Sequence, residues 1–180
     1  MLKKLIENFE EFTYDRVKRS EETHAESLVI AKSELERLVK LNKKTKTPQT
    51  ARLIRDSMDH WIRRYHGYVI QGGIGAHYIQ QDVDLNNCIF EHVIPAARVR
   101  DMFIQGILTA DQALNTPTCF ISKENDKILR KNGLVSSSPD FWLFFERYDV
   151  FDDTQFFTYT GQLVPVKTWT LEDHFNFVLG

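Results

Sequence analysis

Two stretches decide how this chain folds: NCIFEHVIP at residues 87–95 and TCFISKENDKILRKNG at residues 118–133. The first mixes β-branched and aromatic residues and stops at Pro95, as a strand does ahead of a residue that has no amide donor. The second opens as a strand, TCFIS, and then changes period. Ser122 is an N-cap residue type, the helix it starts is expected to reach Lys131, and Gly133 supplies the stop. Between the two strands Val99, Met102, Phe103 and Ile107 recur at helical spacing, and TADQAL adds a turn or two before Asn115.

Working outward, QGGIGAHY at residues 71–78 reads as a glycine loop; it fits neither the dinucleotide fingerprint nor the P-loop with its Lys and Ser/Thr. Upstream, Leu2, Leu5, Ile6, Phe9 and Phe12 form one amphipathic stripe, and Leu28, Ala31, Leu35, Leu38 and Val39 a second. After the polar break LNKKTKTPQT, Ile54, Met58, Trp61, Ile62 and Tyr65 form a third. Downstream, SSSPDFWLFFERY places Ser138 and Pro139 at the N-cap and N1 of a short aromatic helix. QFFTYTGQLVPV predicts two short strands about Thr160-Gly161, and Thr170 followed by LED starts a terminal helix. There is no internal repeat. The expected architecture is α+β, with a helical portion over residues 1–70 and a mixed core over 71–180 that ends in a small α/β element.

With 180 residues, 42% hydrophobic and 27% charged, and with 13 Phe, 6 Tyr and 3 Trp, the chain has enough apolar surface to exclude the disordered, collagen-like and disulfide-scaffold classes. Cys88 and Cys119 are too few for a disulfide framework or a four-thiolate zinc site and are expected to be reduced. No apolar run approaches the ~20 residues of a membrane span, and MLKKLIENFEEF carries acids within its apolar pattern, unlike a secretory signal, so a cytoplasmic protein with no membrane partner is expected. Residues 1–66 hold 15 Lys and Arg against 11 acids, whereas residues 67–180 hold 8 against 14, so an acidic partner would approach the N-terminal half. On the third helix Arg52, Arg55, Asp59 and Arg63 fall on the face opposite the apolar stripe, where they either contact phosphates or simply meet solvent.

The ordered set Glu91-His92-Val93-Ile94-Pro95, then Asn115, then Ser122-Lys123-Glu124-Asn125 opening a helix, resembles the HNH endonucleases, also called ββα-metal or His-Me finger nucleases. The resemblance covers residues 85–135 and implies a ββα-metal core that hydrolyses nucleic-acid phosphodiester bonds, DNA in preference to RNA. It implies that His92 is the general base, that Asn115 braces the loop and orients His92, and that Glu91 and Asn125 hold one divalent ion, Mg²⁺ or else Mn²⁺. Glu124 and Asp126 stand beside Asn125 as alternative ligands. The chemistry is coherent: a neutral imidazole can take a proton from water near pH 7, and carboxylate and amide oxygens suit a hard cation that stabilises the leaving oxygen.

Lacking the cysteine pairs that many HNH proteins use, the chain is expected to carry no structural zinc. Its size looks like that of the small nucleases of large tailed phages, which would place it in a host cytoplasm. Arg98 and Arg100, just past the first strand, are candidate phosphate clamps beside Arg52, Arg55 and Arg63. His24, His60, His66, His77 and His174 are expected to be structural or solvated, and Arg147 to be a buried or stacked anchor. Consecutive strand residues point to opposite faces, so Glu91 and His92 share a site only if the strand is distorted. Two alternatives belong to other classes: a nucleic-acid-binding protein that keeps the ββα scaffold without cutting, and a helical interaction protein that pairs its 28–41 stripe with a second copy as a homodimer.

Overall fold

A computed structural model describes residues 25–180; the expected stripe from Leu2 to Phe12, and His24, lie outside them. Helix α1 covers residues 25–44 and buries Ala31, Leu35 and Leu38, an i, i+4, i+7 stripe. Thr47 caps the next helix by accepting from the Thr50 amide at 3.3 Å, and Pro48 occupies the first turn, where an amide donor would have no partner. Helix α2, Pro48–Tyr65, buries Ile54, Met58, Ile62 and Tyr65. It does not stop there. The backbone continues through a π-helical segment, His66–Gln71, so the glycine loop expected from residue 71 begins only after the helix has run on past Gly72. The turn then closes at Gly75, whose φ of +87° suits glycine.

The sheet has four strands in the order β2-β3-β1-β4. β1, Tyr78–Gln80, starts at the last residue of the expected glycine loop and was not anticipated; it is an interior strand, parallel to β3 and antiparallel to β4, Phe156–Thr158. β2, Cys88–His92, runs antiparallel to β3, Thr118–Ser122, with Phe90 opposite Phe120 and His92 opposite Thr118. β2 stops at His92, Val93 and Ile94 bend the chain, and Pro95 then leads into α3, Ala96–Ile104, which buries Val99 and Met102; Ile107 falls beyond it and is 57% exposed. α4, Ala110–Leu114, starts at a capping box between Thr109 and Gln112. α5, Lys123–Lys131, follows β3 without a break, with Ser122 accepting from the Asn125 amide and Gly133 at φ +70° beyond its end.

The aromatic segment differs from its expected form. Residues 134–143 are irregular, because the Asp140 carboxylate accepts from the Trp142 amide at 2.6 Å and draws the backbone into a turn; only Phe144–Tyr148 forms a 3₁₀ helix. Past β4, Gly161 makes the expected turn at φ +86°, but the returning segment pairs only through Leu163, opposite Phe157. α6, Leu171–Leu179, has the expected N-cap at Thr170, boxed with Asp173. Leu35, Met58 and Ile62 share one buried cluster with Tyr78, Val99, Ile121 and Phe144, so helices before residue 70 and the sheet after it enclose a common core. The fold is mixed α+β, and among the described residues no helix is long and apolar enough to cross a membrane.

Candidate functional site

β2 is regular as far as His92, so its side chains alternate. Cys88, Phe90 and His92 share one face with their β3 partners Ser122, Phe120 and Thr118; Ile89 and Glu91 share the other with Ile121 and Cys119. The expected pair Glu91 and His92 therefore sits on opposite faces of the strand.

On the first face the His92 imidazole stacks on His66 at 5.0 Å between centroids with a 27° interplanar angle. Burial, with a further push from the Arg63 guanidinium, lowers His92 to about 4, so the ring is neutral at pH 7. Nε2 of His92 is buried without a hydrogen-bond partner among the described residues. His66 is fully buried, held well below its ordinary value by burial and then by His92, and its Nε2 lies 3.5 Å from the Thr116 hydroxyl. It occupies the first position of the π-helical segment, one turn after Arg63, so a single helix delivers both the cation and the stacking ring to His92. Sequence reasoning left His66 among the minor histidines. The signal was there, because residue 66 continues the buried series 54, 58, 62 at intervals of four.

Asn115 is fully buried at the end of α4, its Nδ2 donating to the Asp111 carbonyl at 2.9 Å. Its own carbonyl accepts from His174. That ring's other nitrogen meets Tyr78, and Trp169 Nε1 donates to the Tyr78 hydroxyl at 2.8 Å. Since the tyrosine oxygen accepts from the indole, its hydrogen goes to His174 Nδ1 at 2.8 Å, which leaves the histidine proton on Nε2, donated to the Asn115 carbonyl at 2.6 Å. Asn115 thus braces the segment between α4 and β3. It reaches His92 through its neighbour Thr116 and His66, with no hydrogen bond of its own to that ring.

On the second face, Glu91 Oε1 accepts from Arg147 Nη2 at 2.5 Å and Oε2 from the Tyr148 hydroxyl at 3.1 Å. Arg147 is fully buried and also donates to the carbonyls of His92, Val93 and Leu134, so it fixes the backbone that follows β2, as the expected anchor would. Burial pushes the Glu91 carboxyl up, opposed by Arg147 and Tyr148, with Asp126 raising it further. Asp126 is held by Arg130 at 2.8 Å. Asn125 lies in the first turn of α5, beside the Cys88 end of β2, since Ser122 pairs with Cys88. Both oxygens of Glu91 are engaged, one by a guanidinium, and among the described residues no three His, Cys, Asp or Glu side chains gather as a metal site. As arranged, Glu91 and Asn125 do not fit a divalent ion.

The arginines divide. Arg55 and Arg63 are exposed on α2 and make no ion pair with a described residue; Arg52 only reaches Asp56 at 4.0 Å. Arg98 lies over the Phe141 ring at 4.7 Å. Arg100 is committed to Asp59 at 3.0 Å and Asp101 at 2.9 Å and ties α3 to α2, which makes it a poor phosphate clamp. The same contact takes Asp59 off the expected outer face.

The chain matches no family model, no curated protein and no solved structure. Its chemistry is therefore argued from its own residues.

Proposed function

We propose that the chain is an HNH-type endonuclease that hydrolyses nucleic-acid phosphodiester bonds, DNA in preference to RNA, with His92 as general base. The observation that carries the reading is spatial: β2 and β3 pair antiparallel, α5 follows directly, and a neutral imidazole stands at the end of β2 with Nε2 free of described partners, stacked on the His66 ring that follows Arg63 by one helical turn. In this reading His92 takes a proton from the attacking water, and Arg63 meets the phosphate charge from the exposed side of α2. The His66 stack and the Asn115 segment set the position of the ring. No residue is assigned here to the Mg²⁺ or Mn²⁺ ion that the resemblance implies.

The test is incubation of wild type and His92→Ala with single-stranded DNA, duplex DNA and RNA, with and without Mg²⁺ and with EDTA. Cleavage by wild type and loss of at least ~10²-fold in His92→Ala is expected. Cutting by the variant within a few fold of wild type would remove His92 from the mechanism. EDTA-sensitive cutting would show that a metal takes part, held either by Glu91 after release from Arg147 or by other carboxylates such as Glu124 and Asp126. The commitment of Glu91 to Arg147 favours one second reading, a nucleic-acid-binding protein on this scaffold that does not cut. Binding without cleavage under every metal condition would establish it.

A further inference from the structure

The face of β2 that carries His92 also carries an aromatic pair that the core does not use. Phe90 and Phe120 are directly opposite one another in the β2–β3 register, with ring centroids 5.8 Å apart at 68°, and Phe90 meets the His92 ring at 5.6 Å and 80°. Both phenylalanines are half-buried. Among the described residues neither belongs to the buried core nor to the apolar side chains packed against it, although their neighbours Ile89 and Ile121 do. Two phenyl rings on a sheet face, in line with a candidate general base and outside the core, call for an occupant.

Charge says which one. Arg63 lies one helical turn before His66, whose ring stacks on His92, and so belongs to the His92 end of the strip; Lys123 follows Ser122 at the Cys88 end, about 13 Å away along the strand. Arg52 and Arg55 are further exposed cations on the same helix. An apolar corner of two rings bracketed by cations suits a strand whose phosphates pair with the cations while a base lies on the face of one ring and meets the edge of the other. Bases inside a duplex are stacked on one another and present only their edges, so rings of this kind select unpaired nucleotides.

We propose that Phe90 and Phe120 form a stacking subsite for an unpaired nucleobase of a single DNA strand, next to the phosphate that His92 addresses. It deepens the endonuclease reading and rests on it for the identity of the ligand, but it makes a separate prediction: the preferred substrate has an unstacked nucleotide at the cut, as in a single strand, an overhang or a mispaired site.

The experiment is fluorescence titration of the full chain carrying His92→Gln, so that cutting does not erode the probe, with a single-stranded oligonucleotide containing 2-aminopurine and with the same sequence as a duplex. Phe90→Ala with Phe120→Ala is expected to weaken single-strand affinity roughly tenfold or more and to abolish the 2-aminopurine quenching, while duplex affinity changes little. Phe90→Tyr should restore most of both signals. Because the rings lie outside the core, the double variant should melt within a few degrees of its parent. Equal single-strand affinity and quenching with and without the two rings would overturn the subsite while leaving the endonuclease reading intact. Failure of the parent protein to bind the single strand, with or without duplex binding, would overturn it as well, and absence of cleavage by the wild-type chain would separately count against the endonuclease.

Discussion

A histidine works as a base only while it is neutral, and at His92 burial and Arg63 both favour that state down to about pH 4. The sign follows: lowering the pH protonates the ring and removes the base, so kcat/KM should stay level from pH 7 to about 5 and fall about tenfold per unit below about 4. An acid limb centred near 6.5 instead would mean a solvated ring with no role for the His66 stack. Arg147 poses the opposite case, a buried cation needed for structure. With 0% of its side chain exposed and its partner Glu91 at 11%, Arg147→Met leaves a carboxylate buried without a counter-charge and should cost about 3–5 kcal/mol of unfolding free energy. Adding Glu91→Gln should recover part of that loss in urea unfolding; no recovery would mean that the carbonyls of Val93 and Leu134, not Glu91, are what Arg147 chiefly serves.

Among the elements, α2 does most to build the site, since its buried stripe faces the core, its exposed arginines face outward and its π-helical continuation supplies His66. A π turn inserts one residue into the helical register, a rare geometry found often at functional sites. His66→Phe, which keeps an aromatic ring against His92, should retain more turnover than His66→Ala at equal KM; identical losses in kcat would show that the stack has no part in positioning the base. Arg52, Arg55 and Arg63 changed together to Gln should flatten the plot of log affinity against log salt by about two to three units if each meets one phosphate. Arg100→Gln should instead lower stability and leave the slope alone, because its charge is already spent on Asp59 and Asp101. Elements with strong local signals were legible in the sequence: α2 through its stripe after a polar break, α5 through Ser122 and Gly133, and α6 through Thr170. β1 was not, because three residues behind a glycine run carry too little pattern and gain their place only by pairing with β3 and β4. The aromatic helix expected from Ser138 yielded to Asp140, a local competitor for the backbone amides. Of the candidate site, what was legible is the strand alternation that turns Glu91 and His92 to opposite faces; the guanidinium that takes Glu91 comes from 56 residues away, beyond any local pattern.

For the molecule as a whole, the notable commitment is three neutral histidines tied into one region, His66 and His92 stacked below α2 and His174 bridging α6 to the segment before β3. All three are held below their ordinary value, chiefly by burial: His92 and His174 to about 4, and His66 well below its ordinary value. In the unfolded chain each would protonate near pH 6.5. Between that value and about 4 the unfolded state therefore binds more protons, stability rises with pH, and the stabilisation present above pH 6.5 is lost as the pH falls. For His174 alone the loss is on the order of 3 kcal/mol once the pH is below about 4, because burial penalises the charged ring; a second proton would also leave the Tyr78 hydroxyl hydrogen without its acceptor. Glu91 and Asp59, both raised by burial, offset part of this, since the folded form takes up their protons first. The net expectation is a urea midpoint that is level from pH 8 to 7 and falls steeply between pH 6 and 4.5, well before ordinary carboxylates titrate. His174→Gln should be less stable at pH 7 yet show a shallower acid slope, since an amide can still accept from Tyr78 and donate to Asn115 but has no proton to gain. A midpoint independent of pH across this window would mean that the three rings are solvated, and with that the burial that keeps His92 neutral would be lost as an explanation of its chemistry.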